Sequence, residues 1–82
     1  MEFAEGMIVR SVKGHDVGQL FVIIACDGRY VYVANGKTRK MASPKKKNKR
    51  HIIVTETKQQ NLSELTDKSL RRLISKLKTI YA

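Results

Sequence analysis

The alternation of apolar and polar positions divides the chain into short strands and one helix. Met7 to Val12 alternates loosely, placing Met7 and Val9 on one face and Arg10 on the other. Leu20 to Ala25 is apolar without a break and lies between turn residues, which predicts a strand buried on both faces or at a barrel seam. Asp27-Gly28 is a two-residue hairpin signal. Tyr30 to Ala34, YVYVA, is rich in aromatic and β-branched residues and reads as a third strand. Asn35-Gly36 marks another turn, and His51 to Thr57, HIIVTET, reads as the last strand. Between these two lies Lys37 to Arg50, which holds the only proline, Pro44; a short strand at Arg39 to Ala42 and then an exposed basic loop are expected there. Lys58 to Leu65 reads as a linker, and no internal repeat is present.

The period then changes. Leu70, Leu73, Ile74, Leu77 and Tyr81 recur at helical spacing, while Lys68, Arg71, Arg72, Lys76 and Lys78 fill the opposite side. Thr66 suits the N-cap, and Asp67 places negative charge in the first turn, where the helix dipole favours it. Leu73 and Leu77 are expected to be buried against the strands. Short strands with glycine turns, followed by one amphipathic helix, predict a mainly β fold, a small barrel with a C-terminal helix. The expected division is a barrel over 1–57 with a basic loop at 37–50, a linker over 58–65 and a helix over 66–82. At 82 residues this is one domain with a modest core.

Composition adds a statement about partners. Apolar residues make up 41% of the chain, too many for a disordered segment. The 17 Lys and Arg outweigh 7 Asp and Glu, for a formal charge of +10, which favours nucleic acid, an anionic membrane or an acidic protein. The longest apolar run, Leu20 to Cys26, is too short to cross a membrane, and MEFAEG lacks the basic start of a signal peptide. The lone Cys26 makes no internal disulfide and suits a reducing compartment, so a cytoplasmic protein is expected.

Catalytic chemistry finds little to stand on. His15 and His51 are the only histidines, and neither Cys-x-x-Cys nor His-x-x-x-His occurs, so no metal, cofactor or enzymatic activity is expected. Asp16 and Asp27 sit in turns, where aspartate commonly bonds the local backbone. Cys26 reads as a small buried apolar residue. Lys37 to Arg50 carries eight Lys and Arg and no acid. A loop kept soluble does well with mixed signs, whereas a polyanion rewards segregated cations by releasing counterions. Phosphate binding therefore ranks ahead of solubility, and Lys45 to Lys47 are expected on a solvated loop that the fold does not need. The same run, from Pro44 to Arg50, also matches a nuclear localisation pattern, which basic proteins produce often by chance. Tyr30 and Tyr32 share one face of their strand, opposite Val31 and Val33; they serve either the core or helix contact, or the stacking of bases. The basic side of the helix either extends a phosphate footprint or faces water.

The stretch from Gly6 to Ile23, GMIVRSVKGHDVGQLFVI, resembles the KOW motif of ribosomal proteins and transcription elongation factors, a strand–turn–strand element around a Gly-x-Asp-x-Gly turn. Gly6, Val9, Gly14, Asp16, Gly18 and Val22 occupy its positions, and residues 3–52 together look like the small bacterial KOW-domain RNA-binding proteins, similar to archaeal and eukaryotic large-subunit ribosomal proteins. The resemblance implies an SH3-like barrel and a non-enzymatic, monomeric protein that binds ribosomal or other structured RNA in translation. Its implied contacts are Lys13 and His15 from the turn, with Lys37, Arg39, Lys40, Lys45, Lys46, Lys47, Lys49 and Arg50. Gly14, Asp16 and Gly18 would shape the turn, whose glycines permit positive φ and let backbone approach a phosphate. Ribosomal proteins are further implied partners; the helix lies outside the motif. A protein-interaction module of the transcription or translation machinery, docking through the barrel or the helix, is the alternative. Adhesion to a membrane lacks interleaved apolar residues in the basic run and is not expected.

Overall fold

The structure, a computed structural model, describes residues 2–56 and 58–81, with the side chains of Glu56 and Tyr81 outside that description. Expectations that reach Met1, Thr57 and Ala82 lie outside the described residues. Among the described residues, five antiparallel strands precede one helix: β1 (Ile8–Ser11), β2 (Leu20–Asp27), β3 (Tyr30–Ala34), β4 (Lys45–Asn48), β5 (Ile52–Glu56) and α1 (Asp67–Tyr81). The sheet order is β4-β3-β2-β1-β5, so four strands meander and the fifth returns beside the first. The protein is mainly β, a small barrel-like five-stranded sheet carrying a C-terminal helix.

The unbroken apolar run of β2 has the consequence its pattern demands. Leu20 and Val22 face outward under the helix, where they join Ile8, Ala34, Leu70 and Ile74 in one buried cluster. Phe21 and Ile23 face inward and join Val9, Val31, Val33 and Ile52 in a second. The register aligns Ile8 with Val22 and Val22 with Ala34, making an apolar row on which α1 lies. Leu70 and Ile74 seal that row, and burying each stabilises the fold by about 1.5–3 kcal/mol. Leu73 and Leu77 pack against the same cluster but are only half-buried, so Leu70 and Ile74 form the centre of the stripe. Thr66 caps the helix as expected: its Oγ1 accepts from Ser69 N at 3.1 Å, while Ser69 Oγ accepts from Thr66 N at 2.8 Å.

The basic segment departs from expectation. Arg39 to Ala42 is a turn rather than a strand, and the expected exposed loop contains β4, an edge strand written Lys-Lys-Lys-Asn. It pairs Lys45, Lys46 and Lys47 with Val33, Tyr32 and Val31. Alternation therefore sends Lys45 and Lys47 to the side of the inner valines and Lys46 to the side of the tyrosines. Lys47 is buried. Residues 58–65 are likewise no loose linker. Gln60 N donates to Gly6 O at 2.8 Å, a short 3-10 turn spans Leu62–Glu64, and Leu62 and Leu65 pack beneath the helix. Two apolar residues in an otherwise polar stretch supply the reason. Cys26 is exposed rather than buried. It is the next-to-last residue of β2, where burial runs out, with its thiol 3.6 Å from Phe3 O.

Candidate nucleic-acid interface

The neck of the Gly14–Gly18 turn is closed by two backbone bonds, Ser11 N to Gln19 O at 3.0 Å and Gly18 N to Ser11 O at 2.8 Å. Gly14 and Gly18 hold φ of 101° and 89°, values that side chains with a Cβ rarely adopt. Asp16 therefore turns inward and is buried. Ser11 Oγ donates to Asp16 Oδ1 at 2.6 Å. Lys47 Nζ donates to the same oxygen at 2.8 Å and to Lys13 O at 3.0 Å, while Lys45 Nζ reaches Asp16 Oδ2 at 3.0 Å. Burial pushes the Asp16 carboxyl up. Hydrogen bonds from Lys47, Ser11 and Lys45, with the charge of Lys47, outweigh burial and hold the group well below the ordinary carboxylate range. Asp16 bonds not only the turn but the far edge of the sheet, and its negative charge is covered on both oxygens.

This latch sorts the expected cations. A cleft of about 300 Å³ opens beside the turn, and His15, Asp16, Gln19, Phe21, Thr38, Arg39 and Lys45 line it. Arg39 arrives there because Asn35 builds the turn before it. The Asn35 side-chain oxygen accepts from Lys37 N at 2.9 Å and Arg39 N at 3.0 Å, and its amide donates to Thr38 Oγ1 at 3.0 Å. Lys49 and Arg50 lie on a 3-10 turn over Lys49–His51, capped by Asn48. The bond from Val12 N to His51 O, 2.8 Å, sets that turn beside Lys13. Lys13, His15, Arg39, Lys45 and Arg50 thus come from three loops and one strand toward the latched end, while Lys49 N donates to Arg29 O at 2.9 Å and so lies by the hairpin between β2 and β3.

Four more expected contacts are placed otherwise. Lys47 is consumed by Asp16 and Lys13 O. Lys46 projects from the other face of β4, with its ammonium 4.2 Å from the centre of the Tyr30 ring. Lys40 Nζ lies 3.3 Å from Gly36 O, and Lys37 lines a different cleft, between the 35–39 turn and α1. Tyr30 and Tyr32 are half-buried on the sheet face that also carries Ala34, while Val31 and Val33 are fully buried. Sequence reasoning placed the Asn35-Gly36 turn but not the side-chain bonds by which Asn35 organises it, and it missed Ser11. It also missed Gln19 and Thr38 in the cleft.

Helix α1 is tied to the basic turn. Asp67 Oδ1 accepts from Met41 N at 2.8 Å, and Arg71 Nη1 donates to Gly36 O at 3.0 Å. Gly36 lies so close to the Asp67 carbonyl that a Cβ would not fit. Among the described residues, no helix is long and apolar enough to cross a membrane, and no group of three or more His, Cys, Asp or Glu is placed to hold a metal ion. No protein-family model matches the chain, and a search of curated proteins finds no match to it.

Proposed function

We propose that this is a non-enzymatic RNA-binding protein of the KOW type, which holds structured RNA, ribosomal RNA foremost, by its phosphates. The observation that supports this reading is the latched turn. Asp16, the acid of the latched turn, has both oxygens covered by lysines, so it does not repel an approaching phosphate. Around it Lys13, Arg39 and Arg50 extend into solvent, with His15 at the cleft. Such contacts carry affinity and orientation; they do not read sequence. Preference for RNA over DNA then comes from duplex shape and 2′-hydroxyl contacts. Lys47 is withdrawn from the contact set.

Crosslinking the protein in cells and sequencing the attached RNA tests the assignment. The expected result is enrichment of defined structured segments of ribosomal RNA, reduced when Lys13, Arg39 and Arg50 are all replaced by Gln. Enrichment of proteins instead, insensitive to nuclease, would favour the interaction-module reading.

A further inference from the structure

We infer that the cleft between the 35–39 turn and α1 binds a phosphorylated nucleotide unit. Lys37 and Lys78 hold its phosphate beside Arg71, and its sugar or base lies on Leu20 and Ile74. The cleft measures about 350 Å³, within the range of small-molecule sites. Three of its lining side chains are cationic and none is acidic. The nearest acid on the helix, Asp67, spends its carboxylate on Met41 N.

The polar groups of the cleft are uncommitted. The side chains of Lys37 and Lys78 have no hydrogen-bond or ion-pair partner among the described residues, and the same holds for Gln19 and Ser75 on the cleft wall. Arg71 is fixed in place: one N–H reaches Gly36 O at 3.0 Å, and a guanidinium carries five donors. The floor is apolar, since Leu20 and Ile74 belong to the cluster under the helix. Cations at the rim, neutral hydrogen-bonding groups on the wall and an apolar floor match the three parts of a nucleotide: phosphate, polar edge and ring face. Gln19 also lines the cleft at the latched turn, so the two clefts adjoin across the 35–39 turn. One source of the ligand is therefore an unpaired nucleotide of an RNA bound at the latched end, a source that rests on the proposed function. The other is a free nucleotide.

Isotope-labelled protein, titrated with adenosine 5′-monophosphate and with adenosine and followed by amide chemical shifts, tests the site. The monophosphate is expected to shift Lys37, Ser75 and Lys78 saturably. Both the Lys37→Gln/Lys78→Gln variant and the loss of the phosphate are expected to weaken binding about tenfold or more, the worth of one or two charged hydrogen bonds. Shifts centred elsewhere, or unchanged in the variant, overturn the site. A second arm compares a fully paired RNA hairpin with one carrying a single bulged nucleotide. A preference for the bulge that disappears in the double variant assigns the site to RNA. Saturable monophosphate binding without that preference keeps the site and assigns it to a free nucleotide. If neither hairpin binds at all, the proposed function fails, while the monophosphate shifts still decide the cleft.

Discussion

Replacing Lys47 by Gln tests whether the latch holds the fold. The ammonium is buried against Asp16 Oδ1 at 2.8 Å, with the two side chains 6% and 8% exposed. Removing one partner of a buried ion pair leaves the other charge uncompensated, at a typical loss of about 3–5 kcal/mol. Asp16 keeps Lys45 and the Ser11 hydroxyl in the variant, so the expected loss falls at or just below that range, about 2–3 kcal/mol. For a domain of this size that lowers Tm by roughly 10–20 °C. Lys46→Gln supplies the control. Lys46 is exposed and loses only its contact with the Tyr30 ring, worth about 0.5–1 kcal/mol. The double variant Asp16→Asn/Lys47→Gln removes both charges and is expected to be less destabilised than the sum of the single variants, the signature of direct coupling. Thermal and urea melts of the four proteins measure all of this. Equal midpoints for Lys47→Gln and Lys46→Gln, or strict additivity in the double variant, would refute the latch.

The same carboxylate sets an acid limit. Its folded-state pKa is depressed, so the stability it contributes is present above the ordinary carboxylate value, near pH 4, and is lost as pH falls toward the folded value. Urea melts from pH 5 down to pH 2 are expected to lose up to about 1.4 kcal/mol per pH unit from this group, and Asp16→Asn should flatten that slope. Gly36→Ala sets a Cβ against the Asp67 carbonyl at a φ of 77°, so a loss of about 2 kcal/mol or more is expected, with reduced amide protection in α1 by hydrogen exchange; protection equal to that of the wild type would count against the docking contact.

What the sequence made legible was set by residues that follow their own local rule. Leu20 to Ala25 declared burial on two faces because nothing in it was polar. Leu70 and Ile74 declared a helix stripe, and Thr66 a cap. Gly14 and Gly18 declared a turn. The hidden part depended on partners far along the chain. A strand written Lys-Lys-Lys-Asn violates strand composition, and lysine is almost never buried unless paired. Its partner is one aspartate 31 residues away from Lys47, which local pattern cannot register. The alternation of Lys45 and Lys47 with Lys46, opposite a single turn acid, was the only trace. The candidate site was accordingly legible as a set of charges and illegible as a surface. Which cations reach solvent, and which hold Asp16, is decided by the pairing of β4 with β3.

Binding of a purified structured RNA hairpin across a series of salt concentrations tests the central claim most directly. With about four phosphate contacts, from Lys13, Arg39, Lys45 and Arg50, log affinity is expected to fall against log salt with a slope of about −3. Lys13→Gln/Arg39→Gln/Arg50→Gln removes three contacts and no side-chain bond described in the fold. Its slope is expected near −1, with Tm unchanged. A slope that stays the same in the folded triple variant would contradict the account and move the RNA-binding surface away from the latched turn.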